Sequence, residues 1–139
     1  MSGMQADLRA AAVALLKSYA TQEKITLNVY PGRPKTITAP HAFVDAMRER
    51  VTYDGLRQRY PSCEIVIAWG LYDSAEAVRQ RDAFVDGFLD WFTANPHAAS
   101  ANSVAGVTGI DDLPAYTPDW IEVRTTYYAT QITLEGYTG

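Results

Sequence analysis

The stretch EIVIAWGLYDSAEAVRQRDAFVDGFLDWFTANPH, residues 64–97, changes its hydrophobic period halfway, and that change decides the fold. Glu64 to Leu71 is almost continuously apolar, the pattern of a strand covered on both faces and therefore central in its sheet. Asp73-Ser74 then supplies a helix N-cap, with Glu76 and Ala77 opening a helix that runs to Ala94. It stops at Asn95-Pro96, because the residue before a proline is pushed out of the helical region. Placed at about 100° per residue, Val78, Arg81, Phe84, Val85, Phe88, Leu89 and Phe92 form one broad face. Asp82, Asp86 and Asp90 lie beyond its edge, near Arg79. A central strand followed by an amphipathic helix is a helix laid on a sheet.

Working outward, Met4 to Tyr19 repeats Leu8, Ala11, Ala12, Leu15, Leu16 and Tyr19 at helical spacing and predicts a first helix. Ile25 to Tyr30 alternates as a strand, ended by Pro31-Gly32. The loop PGRPK carries Arg33 and Lys35 and leads to a second short strand, Thr36 to Ala39. Between Ala42 and Val51 helix and strand compete; Val51-Thr52-Tyr53 and the turn pair Asp54-Gly55 favour extended chain from about Ala46 to Tyr53. Val104 to Ile110 reads as a glycine-interrupted strand, and DDLPAYTPD as a loop because of its two prolines. Trp120 to Leu134 reads as one long strand. Its apolar phase switches between Tyr127 and Ile132, so a bulge near Thr130 is expected. Residues 1–139 thus form a single α+β domain, a mostly antiparallel sheet of about five strands with two main helices packed on it.

A chain of 139 residues can bury a real core, and 47% hydrophobic with 20% charged residues is ordinary for a globular protein. The lone Cys63 excludes an internal disulfide, and its apolar surroundings in sequence point to a buried thiol. Without a membrane-length apolar run or a signal-peptide pattern, a reducing cytoplasm is the expected setting. The net charge of −4 argues against broad nucleic-acid binding, but its distribution is uneven. Residues 1–81 carry eleven Lys/Arg against eight Asp/Glu, whereas residues 82–139 carry only Arg124 against eight acids. Either folding mixes these charges over the surface, or the subunit is dipolar and suited to head-to-tail assembly.

Three carboxylates on successive turns span ~12 Å and cannot converge on one ion. An acid pair for glycoside hydrolysis needs a carboxyl in an apolar pocket, and no partner is readable. A solvated face is therefore the first reading of Asp82, Asp86 and Asp90, and a contact face the second. His41 and His97 each flank a proline in an expected loop, where solvation is the ordinary fate of a histidine. No nucleophile elbow, phosphate loop or zinc-helix motif occurs, and the GVTG segment lacks a phosphate-binding pattern. Trp69, Trp91 and Trp120 sit in elements that would pack them. No catalytic residue, cofactor or metal site is expected.

AFVDAMRERVTYDGLRQRYP, the quoted stretch 64–97 and the closing YYATQITLEGYTG resemble tail terminator (tail completion) proteins of long-tailed bacteriophages, particularly those of actinobacterial hosts. The similarity runs from about Ala42 to the end of the chain. What it implies is a small α+β subunit in a homo-hexameric ring on the head-proximal end of the tail tube. Such a ring ends tube polymerisation and presents the surface that joins the filled head. Implied partners are further copies of the chain, the major tail tube protein and a head-completion or connector protein, with DNA passing through the ring and no membrane involved. A ring needs two different complementary patches, and Asp82, Asp86 and Asp90 against Arg33, Lys35, Arg57 and Arg59 form a natural pair. The acidic helix could instead line the lumen. Another neck protein, or an α+β enzyme or ligand-binding domain using His41 or His97, are the competing expectations.

Overall fold

The computed structural model describes residues 4–53, 55–94 and 104–136. Two helices and a five-stranded, mostly antiparallel sheet make an α+β fold. In chain order the elements are α1 (Met4–Gln22), β1 (Asn28–Tyr30), β2 (His41–Thr52), β3 (Gln58–Leu71), α2 (Ala75–Ala94), β4 (Val104–Tyr116) and β5 (Tyr127–Gly136). The sheet order is β1-β2-β3-β5-β4, with β1 parallel to β2 and every other pair antiparallel.

The apolar run 64–71 is, as its composition demands, in the middle strand. Cys63, Ile65 and Ile67 face a helix-side core with Ile132 and Leu134, while Val66 points to the other face beside Phe43 and Ala129. Both helices lie on the first face. Leu8, Ala11, Ala12, Leu15, Leu16 and Tyr19 of α1 are all buried there, together with Ala77, Phe84, Phe88 and Trp91 of α2. Full burial of side chains such as Phe84 and Phe88 is worth roughly 1.5–3 kcal/mol each. The buried stripe of α2 is narrower than the expected face, since Val78 and Leu89 at its margin are exposed. Helices cover only one face of the sheet. Part of the other is closed by Ile37, Leu113, Tyr116 and Trp120.

Several boundaries differ from expectation, each for a physical reason. α1 continues to Gln22 and closes with Ile25 N–H on the Ala20 carbonyl and Lys24 N–H on Thr21, with Lys24 at φ 56°. That closure is a Schellman cap without its usual glycine. It takes up Lys24 and Ile25, so β1 shortens to Asn28–Tyr30. Thr36 to Ala39 is not a strand; the loop instead folds over the far face, with Ile37 against the Phe43 cluster. β2 begins at His41 rather than Ala46, because His41 to Val44 are buried consecutively by cover on both faces. The segment DDLPAY is strand, not loop. β4 is an edge strand, and Pro114 falls between Leu113 and Tyr116 where the pairing with β5 is irregular, so the missing N–H breaks no ladder bond. Trp120 to Thr126 does not join β5. With those residues outside the strand the apolar phase needs no correction, and β5 keeps continuous register with β3 through Thr130. The extra residue lies across the ladder, at Trp69 of β3. The expected stop at Asn95-Pro96, and His97, lie outside the described residues.

Candidate functional site

Asp82, Asp86 and Asp90 point into solvent from α2, as the helical wheel requires. Asp82 accepts a hydrogen bond from Arg81 at 3.1 Å; Asp86 and Asp90 have no ion pair among the described residues. The basic residues expected to meet them are placed differently from one another. Arg33 donates to Asp45 at 2.9 Å and lies 4.5 Å over the Trp120 ring, whose indole donates to the Pro34 carbonyl at 2.9 Å. Its charge therefore pins the PGRPK loop to the far face of the sheet. Arg59 makes two hydrogen bonds of 2.7 Å to Glu49 across the β2–β3 ladder, and this pairing holds the Glu49 carboxyl below its ordinary range. Lys35 and Arg57 are exposed and make no ion pair among the described residues. The structure thus separates the four: two are engaged within the subunit and two are available.

Among the described residues, the candidates for chemistry are occupied or enclosed. His41, expected in a solvated loop, is instead the buried first residue of β2, 2% exposed, with its ring edge-on to Tyr30 and Phe43. Its Nδ1 accepts the Thr38 N–H at 3.3 Å, and its Nε2 has no hydrogen-bond partner among the described residues. Burial lowers its pKa. Cys63 is fully buried and its thiol is pushed up to about 12, so it is not a thiolate at neutral pH. Trp69 donates from its indole to Thr130 at 3.0 Å, and Thr130 donates to Asp112 at 3.2 Å. Asp112 also accepts from Arg81 at 3.0 Å, which ties α2 to the edge strand. Open hollows of about 390, 300 and 240 Å³ lie beside Tyr60 and Glu135, beside Ile25 and Ala83, and between Leu89 and Ile110. His41 lines none of these three. Among the described residues no group of His, Cys, Asp or Glu could hold a metal ion, and no helix is long and apolar enough to cross a membrane.

What the sequence reading missed is a set of exposed apolar side chains at the two ends of β3. At one end the β2–β3 hairpin extends past β5, which pairs with β3 only as far as Ser62 among the described residues. Its tip exposes Val51, Tyr53 and Leu56, the last two by 76% and 79%. At the other end Leu71, Tyr72 and Val123 are exposed by 54%, 59% and 75%. There Tyr72 N–H bonds the Thr126 carbonyl, which joins the end of β3 to the loop entering β5. The signal was present in YDGL and GLY, where large apolar residues flank turn residues, but only pairing shows which turns project.

No protein-family model matches the chain, and no curated protein matches it either.

Proposed function

We propose that this chain is a structural subunit of a long-tailed bacteriophage, forming a ring at the head-proximal end of the tail tube. It works by binding and has no catalytic turnover: the ring stops tube polymerisation and offers the surface to which the filled head joins. The resemblance over residues 42–139 motivates the reading. The observation that carries it is the distribution of exposed apolar side chains: six of the nine exposed large hydrophobics among the described residues lie at two separate ends of the sheet, while Cys63 and His41 are buried. Soluble monomers rarely expose such groups together unless another surface covers them. The ring acts in the virion and is assembled in the host cytoplasm, against further copies of itself, the tail tube protein and a head-completion or connector protein.

Deleting the protein from the phage tests this. Filled heads left unjoined beside overlong or ragged tails are the expected phenotype. Tails of normal length attached to heads would remove the assignment. Heads left unjoined beside tails of correct length would favour a different neck protein.

A further inference from the structure

The two exposed ends of β3 differ in charge as well as in position. From residue 48 to residue 60 the hairpin carries Arg48, Arg50, Arg57 and Arg59; Arg48 is paired with Glu64 and Arg59 with Glu49, which leaves Arg50 and Arg57 against Asp54. At the opposite end Asp73, Asp119 and Glu122 outnumber Arg124 by two. The fourteen residues of β3 separate the ends by about 40 Å at the usual strand rise, so one copy cannot bring its own two ends together. Each end exposes apolar side chains: Val51, Tyr53 and Leu56 at the first, Leu71 and Tyr72 at the second, with Val123 in the loop that enters β5 beside Tyr72.

We propose that the β2–β3 hairpin tip of one copy seats on the Leu71–Tyr72–Val123 end of a second copy, joining subunits head to tail. Tip on tip would place arginines against arginines, and the other end on itself would place carboxylates together; like charges at an interface disfavour both. Tip on opposite end pairs apolar with apolar and base with acid. A contact between two different patches is heterologous and propagates until it closes, which is the geometry a ring needs. The proposal deepens the ring reading and rests on it only for closure. The hairpin is suited to the role because its last ladder pairs, Glu49–Pro61 to Thr52–Gln58, have no third strand among the described residues, while the Arg59–Glu49 pair stiffens its base. Gly55, at φ 85°, makes the turn that presents Leu56.

Oxidative cross-linking of the full chain tests the contact. A variant carrying both Leu56→Cys and Val123→Cys, concentrated at low salt, should give a ladder of disulfide-linked oligomers, while either single variant stays largely monomeric. Leu56→Asp, at a site too exposed to threaten folding, should weaken self-association about tenfold or more. Arg57→Glu should weaken it too, and adding Glu122→Arg should restore part of the loss. Efficient dimers from Leu56→Cys alone would overturn the proposal in favour of a tip-to-tip contact, and absence of any ladder would overturn it outright. Rings in negative-stain images without the ladder refute this contact and leave the ring reading standing. A ladder whose members never close keeps the contact and removes the ring.

Discussion

Tyr19 and Gly87 meet where the two helices cross: a Cβ on residue 87 would lie 2.5 Å from the Tyr19 hydroxyl oxygen. That hydroxyl cannot easily retreat. It donates to the Phe84 carbonyl at 3.1 Å, and its ring is held by Phe84, Phe88 and Trp91. Gly87→Ala should therefore destabilise the protein by about 2 kcal/mol through overpacking. Tyr19→Phe alone should cost about 1 kcal/mol for the lost hydrogen bond. Together they should cost less than the sum, because removing the hydroxyl makes room for the methyl. Denaturant titrations of the four proteins measure this coupling; strict additivity would show that the crossing relaxes elsewhere.

Lys24 occupies the left-handed position of the α1 cap, where a side chain is strained and glycine is not. Lys24→Gly should stabilise the protein by about 0.5–1 kcal/mol, the gain being reduced by the greater freedom of glycine in the unfolded chain. A lower thermal midpoint in the variant would contradict this.

Thr130 is buried, whereas the Asp112 side chain is partly open to solvent. Thr130→Val leaves the Trp69 indole N–H buried without its acceptor and should cost about 1–3 kcal/mol. Asp112→Ala removes bonds that water can replace and should cost about 1 kcal/mol or less. The order of the two losses, read from urea unfolding, is the test.

His41 is enclosed, and burial depresses its pKa in the folded protein. The unfolded chain therefore takes up a proton first as pH falls. The contribution from neutral His41 is complete above the unfolded value of about 6.5 and is lost as pH drops through the folded pKa. His41→Gln removes the titration while keeping a carbonyl for the Thr38 N–H. Its stability, compared with the native protein at pH 7.5 and pH 5.5, should show a difference that shrinks at the lower pH. A constant difference would place the acid sensitivity elsewhere.

Asp86 and Asp90 project into solvent from α2. Changing both to Lys should leave stability within about 0.5 kcal/mol and leave the Leu56→Cys/Val123→Cys ladder intact. A collapse of the ladder at every salt concentration would make the acidic row part of the contact.

The amino-acid order by itself determined the parts whose signals are local. The period change inside 64–97 defined a central strand and the helix after it, and the spacing from Leu8 to Tyr19 defined α1. The outward row Asp82, Asp86 and Asp90 followed from helical geometry alone. Tertiary structure decided whatever depends on a distant partner. His41 reads as a loop residue beside a proline, yet the Phe43 cluster, Tyr30 and the Thr38 turn bury it. Pro114 forbids a central strand but not an edge strand with irregular pairing, and being at the edge is a property of the sheet. Tyr127 starts β5 because its ladder with Leu71 begins there, while the alternating residues before it find no strand to pair with. Local periodicity reports which face of an element is apolar; which neighbour covers that face, and which ends stay bare, is set by pairings tens of residues apart. The hairpin tip and the Leu71–Tyr72–Val123 end are of that second kind, since exposure is what remains after every other contact has been made.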